Sequence, residues 1–487
     1  MNKIFNGIEK ILNMKSDFQS MLKTSAIGCI YIVIFSGKMS LERVIDPVVV
    51  TSNFEIRYFF IPITYIFSLI LLFKNSKFKI DKSTLVVAIS SIVFYLLILS
   101  NFIIFGGEDL IIHIVDVISI IITIPILIII FKNQSDLITF CYFAIAGGVF
   151  FFIIALLGLG DTEHNPGWAP YGGPITLYKI QFVSFCCAIY LHNYIKKLFC
   201  LKILLLTIGI INLYTMFMTL SKTPIISTLV SLSLLCYILY LHKKYKLVML
   251  IYLLLTVSFS IFYLSKGDII VNRFKDVFDA EDELSEILLG NRKNFDRVWN
   301  KVVINNDKLL IFDQDDKNTI KNINCFVNRN NLSSKCHEEE INCTKKSIIL
   351  YNSIIFIGDN SDRLKMLHKS FYIGKNNLIF GLGLGNYLLT YYNKYERTFC
   401  VYKYPHNIFA EIFYGMGIVG LLILNFWLLI VITVLGRLVF NCSEIGVISA
   451  IVVFLLLSSL FSGNYYDFRI VVFISLIIVS IKQYYNE

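Results

Sequence analysis

The chain has 487 residues, of which 56% are hydrophobic and only 16% charged; a mean hydropathy of +0.69 excludes a water-soluble globular surface and calls for many segments solvated by lipid. The formal net charge of +10 is not gathered into a basic stripe interleaved with aromatics, so the sequence gives no support to a nucleic-acid partner, and the charge reads as membrane topology.

A segment of about 20 mostly apolar residues crosses the roughly 30 Å of hydrocarbon, and by that criterion about twelve stretches qualify. They run over 21–37, 57–73, 84–105, 110–131, 137–159, 175–195, 199–219, 224–241, 246–264, 405–436, 445–462 and 468–481. Lys3, Glu9, Lys10 and Lys15 precede the first apolar run, which ends without a small-residue cleavage site, so a retained span is expected. With a cytoplasmic amino terminus, the cytoplasmic tails and short loops hold seventeen Lys and Arg. The other side holds six outside the long loop: Lys38, Arg43, Arg57, Lys179, Lys222 and Arg469. This positive-inside bias predicts both termini in the cytoplasm. The expected organisation is nine spans in 1–264, one large periplasmic loop over 265–404, and three spans in 405–487. The fold class is an all-α polytopic membrane protein.

Ionisable residues within spans are functional candidates by default. His113 and Asp116 share a face at i and i+3 in the fourth span, where lining a groove competes with packing against water or each other. Asp467 and Arg469 are expected to pair or to snorkel at the last turn.

Residues 265–404 hold acidic and basic residues in near balance and far exceed the ~15 residues at which a structureless connection becomes unusual, so a folded element is expected. Cys325, Cys336, Cys343 and Cys400 lie there, and four cysteines in an oxidising compartment permit three pairings. Cys336, His337 and Cys343 lack a standard zinc spacing, which favours a disulfide with a bystander histidine. The stretch 281–355 is rich in Asn, Asp and Lys and weakly periodic. From 361, Leu364, Leu367, Phe371 and Tyr372 fall at helical spacing, predicting an amphipathic helix against the membrane surface. Gly381, Gly383 and Gly385 then alternate with leucines. Without the strand and helix a phosphate loop needs, they point to a tight turn or a close backbone approach.

The run YPHNIFAEIFYGMGIVGLL follows. Pro405 is placed at the first turn of a helix, with His406, Asn407 and Glu411 at the mouth of an otherwise apolar span. Taken alone, His406 is equally consistent with an interfacial position where polar side chains cost little.

Three segments in this order resemble the O-antigen ligase and polymerase family of bacterial membrane glycosyltransferases: Ser221-Lys222-Thr223; Ser361-Asp362-Arg363 with Asn377 to Tyr387; and His406-Asn407 with Glu411, Gly417 and Gly420. The resemblance spans about 205–435. Lys222 stands where the family usually has arginine, Asn377-Leu378 replaces its proline step, Leu367 stands where a tryptophan is frequent, and the 281–355 insertion is long. Lysine keeps the charge but loses the planar fork suited to phosphate.

The resemblance implies a GT-C-like inner-membrane enzyme whose donor is an undecaprenyl-diphosphate-linked glycan, with no cofactor and no metal. The acceptor is another lipid-linked glycan, the lipid A-core or a protein hydroxyl, and a chain-length regulator is a further partner. Arg363 and Lys222 are the expected clamp on the leaving diphosphate. His406 is the expected base, Asn407 and Glu411 orient it or the acceptor, and Asp116 is a further substrate-binding candidate. The excess of Ile, Lys, Asn, Phe and Tyr leans toward the polymerase over the ligase. A glycolipid flippase would call for internal repeats and charges near the bilayer midplane, and the sequence has neither.

Overall fold

The computed structural model describes residues 18–35, 56–74, 80–106, 110–157, 173–196, 198–219, 222–266, 374–387, 405–462 and 464–481, with short pieces of strand and helix between 302 and 402. Twelve helices among the described residues coincide with the twelve apolar stretches. They are α1 (Phe18–Phe35), α2 (Ile56–Lys74), α3 (Lys82–Phe105), α4 (Leu110–Ile130), α5 (Gln134–Leu156), α6 (Gly173–Tyr194), α7 (Phe199–Met218), α8 (Lys222–Leu241), α9 (Tyr245–Lys266), α10 (Ile408–Asn441), α11 (Ser443–Ser462) and α12 (Arg469–Ser480). Seven of them, α2 to α5, α7, α9 and α10, are long and apolar enough to cross a membrane. Between α9 and α10, short strands pair in two three-stranded sheets, which the periodicity of this stretch does not announce.

Local chemistry sets the helix ends. Asp81 caps α3, its carboxylate accepting from the Ser83 amide, and Asn133 with Asp136 forms a reciprocal capping box on α5. Asp136 also accepts from Lys23 at 2.6 Å, fastening α1 to the α4–α5 turn. Nearby, burial together with the Lys23 charge pulls the Lys132 ammonium below its usual range, against the attraction of Asp136.

Every residue of α12 is buried, as expected of a helix apolar on all sides. It packs among α3, α4, α10 and α11, while α6 packs against α5, α7 and α11. Polar side chains cross-link this core: Gln181 donates to Gly148 O at 2.9 Å, Asn212 to Ser184 Oγ at 2.7 Å, and Trp427 Nε1 to Ser91 Oγ at 2.8 Å. Large apolar side chains such as Phe73, Ile104, Ile111, Leu264 and Phe426 face outward, the inverse of a soluble protein's surface.

Helix α10 is broken. Gly417 has φ 64° and ψ −155° inside it. In an unbroken helix the Ile418 and Val419 amides would donate to Tyr414 O and Gly415 O. Instead they donate to Leu378 O (2.8 Å) and Ile379 O (3.2 Å), and the vacated carbonyls accept from Leu382 N (2.8 Å) and Gly383 N (3.0 Å). The glycine-rich segment thus replaces a rung of the helix ladder with its own peptides. A Cβ on Gly381 would lie 2.4 Å from the Gly415 carbonyl carbon, and one on Gly417 2.4 Å from Ile379 O. Gly381, the first of the alternating glycines, serves a close backbone approach. Asn101 of α3 locks the joint from the other side, donating to Gly415 O (2.9 Å) and accepting from the Leu384 amide (2.8 Å).

Candidate functional site

The start of α10 carries three of the expected residues. The helix begins at Ile408 with Asn407 as its N-cap, so Pro405 precedes it and does not open its first turn. Asn407 Oδ1 accepts from the Ala410 amide (3.0 Å), and its Nδ2 donates to Leu460 O (2.6 Å) in the last turn of α11. One asparagine therefore satisfies a helix start and a neighbouring helix end. Before it, His406 holds a left-handed backbone with φ 55°, a conformation uncommon outside glycine. Its side chain is half-buried.

Glu411, one turn below, is 3% exposed, and its Oε2 accepts from the Tyr465 amide at 2.7 Å. That carboxylate anchors the α11–α12 turn, and the turn gathers the remaining polar groups of this end of the bundle. The Tyr465 hydroxyl lies 2.6 Å from His113 Nδ1, and His113 stacks on Phe102 at 4.8 Å. Burial, reinforced by the Asp116 and Glu411 charges, holds the Tyr465 phenol well above its ordinary range, so it stays protonated. Tyr466 lies between two guanidiniums, Arg57 at 4.1 Å and Arg469 at 3.5 Å from its ring centre. Arg57 Nη2 in turn bonds Asp116 Oδ1 at 2.6 Å, and Asp116 also accepts from Tyr58. Lys179 Nζ sits 3.7 Å from Asp467 Oδ2.

Three almost fully buried cations and three acids from α2, α4, α6, α10, the α11–α12 turn and the start of α12 therefore meet at one end of the bundle. Asp116, for which lining a groove competed with packing, is enclosed in this set with Arg57 and Tyr58. Arg469 donates to Tyr466 O at 2.8 Å while Asp467 faces Lys179. From the sequence, Arg57 and Lys179 entered only as charges that set the orientation, and Arg469 also as an expected partner of Asp467. Their one available signal was a cation within the first turns of each of three apolar stretches.

The other expected residues are placed less fully. Lys222 begins α8, with only its backbone described, and Arg363 lies outside the described residues. So do the loop cysteines, apart from the backbone of Cys400 in a strand, and most of the amphipathic helix expected from 361. Of that helix, Phe371 packs on Phe413 of α10 at 5.0 Å and Ser370 is buried. Burial also raises the Tyr387 phenol, with the Ser370 hydrogen bond acting in the opposite direction.

The family model described as O-antigen ligase matches residues 327–424. The resemblance read from the motifs is supported. The matched segment holds Arg363, the glycine-rich joint, His406, Asn407, Glu411 and the α10 break. No curated protein and no solved structure matches the chain.

Proposed function

We propose that the chain is an O-antigen polymerase-type glycosyltransferase of the bacterial inner membrane. It joins undecaprenyl-diphosphate-linked oligosaccharide repeats at the periplasmic face, with both termini cytoplasmic and about twelve spans. The observation that carries the reading is the joint of α10. The family-matched segment inserts its backbone into the helix that presents His406, Asn407 and Glu411, at the end of the bundle where the buried cations meet.

In the reaction, an acceptor hydroxyl attacks the anomeric carbon of the donor sugar. The bond from that carbon to the lipid diphosphate breaks, and the diphosphate leaves with the electron pair. His406 takes the hydroxyl proton, and Arg363 and Lys222 stabilise the charge developing on the leaving group. Asn407 fixes the backbone that carries His406, and Glu411 supports the turn beside it. Basic side chains perform the charge stabilisation, so the proposed enzyme is metal-independent.

The family description favours a second reading, the ligase, in which the same donor is transferred to lipid A-core. One gel tests both: the lipopolysaccharide of a strain lacking the gene. Core bearing a single repeat identifies the polymerase, and bare core with accumulating lipid-linked polymer identifies the ligase. An unchanged ladder refutes both.

A further inference from the structure

The segment that enters the α10 break ends in an apolar tip. Leu378, Ile379 and Phe380 are consecutive and expose 46%, 57% and 62% of their surfaces, and no charged residue lies between Lys375 and Lys394. Next to them in the paired backbone is Ile418, and beyond it Leu422, Phe426 and Leu429 continue an exposed apolar stripe down α10.

Depth can be read against α3. Asn101, bonded to Gly415 O, lies nineteen residues from the start of that helix at Lys82. At 1.5 Å per residue that is about 28 Å, close to the roughly 30 Å of hydrocarbon. The joint therefore sits near one hydrocarbon boundary. Irregular backbone survives at such a depth only when its polar groups are satisfied by protein. The carbonyls of Asn377, Leu378 and Ile379 meet that condition, accepting from Gly381, Ile418 and Val419. Lys375, exposed at the start of the segment, is suited to reach phosphate headgroups above.

We propose that Leu378–Ile379–Phe380 is a membrane-inserted wedge whose partner is the acyl-chain layer of the leaflet at the His406 end. It fastens the long segment between α9 and α10 to the bilayer independently of any glycan. The occupant is lipid because the tip is continuous with the lipid-facing stripe of α10, and the Leu378 and Ile379 carbonyls are satisfied within the protein.

The test uses the full chain in nanodiscs of phosphatidylethanolamine and phosphatidylglycerol, with p-benzoylphenylalanine in place of Phe380. This aromatic replacement keeps the joint's backbone bonds, and the same probe in place of Leu422 marks the α10 stripe. After irradiation, intact mass should show the gain of one phospholipid at both positions. Adducts of Phe380 to another part of the chain, or no lipid adduct where Leu422 gives one, overturn the wedge. A second readout is Phe380→Asp, which should release peptides around 374–387 to faster hydrogen exchange while α12 stays protected. Unchanged exchange in that segment also overturns it. Neither result depends on glycan transfer.

Discussion

A left-handed backbone at His406 (φ 55°) is maintained against a cost of order 1 kcal/mol that glycine would not incur. Backbone fit alone would favour glycine at this position. His406→Gly should still fold, eluting as monodisperse protein in detergent, yet glycan transfer should fall by roughly 10²- to 10⁴-fold, the range for loss of a general base. Retained transfer removes His406 from the chemistry. Glu411 makes a different prediction because its Oε2 satisfies a buried amide. Glu411→Gln keeps an acceptor oxygen and should melt near the parent. Glu411→Leu strands the Tyr465 amide and should cost about 1–3 kcal/mol, read as a lower melting temperature. His406, Asn407 and Glu411 were legible because polar side chains are conspicuous at the mouth of an apolar stretch. Arg57, Lys179, Tyr465 and Arg469 were not legible as a set: they come from separate segments, and only packing brings them together.

Among the elements, the twelve helices could be read because each is a run of lipid-compatible residues bounded by polar ones, and a single sequence carries that contrast directly. The break in α10 could not be read. Helix interruptions usually trace to proline or a small-residue pair, whereas here the cause is a distant segment that takes over the helix's hydrogen bonds. The alternating glycines announced a close approach without naming the partner. Gly417 and Gly436, both within α10, separate the two uses of glycine. Gly417→Ala would impose a positive φ and set a Cβ 2.4 Å from Ile379 O, so overpacking alone should cost about 1–3 kcal/mol. A Cβ at Gly436 would meet nothing within 4 Å, so Gly436→Ala should be neutral or gain up to about 1 kcal/mol. Equal melting temperatures for the two variants would mean that the ladder exchange does not hold α10.

Across the whole molecule, the buried charges decide how the bundle is specified. Apolar faces against lipid are interchangeable, since lipid tails are as apolar as leucine, so helix association needs packing and polar contacts to choose partners. The Arg57–Asp116 pair ties α2 to α4, and the Tyr466 ring between Arg57 and Arg469 ties both to the start of α12. Removing one member of such a pair leaves a buried charge without its counter-ion, whereas replacing both by apolar groups can be close to neutral. Arg57→Met should therefore cost about 3–5 kcal/mol, seen as a large drop in melting temperature and in yield of monodisperse protein. Arg57→Met combined with Asp116→Leu should recover most of that loss. A double variant no better than the single one would mean that Arg57 acts mainly through Tyr466. If the double variant is stable but joins no glycans, the Arg57–Asp116 pair takes part in the reaction and does not merely hold α2 and α4 in register; if it is stable and active, the role of that pair ends at the scaffold.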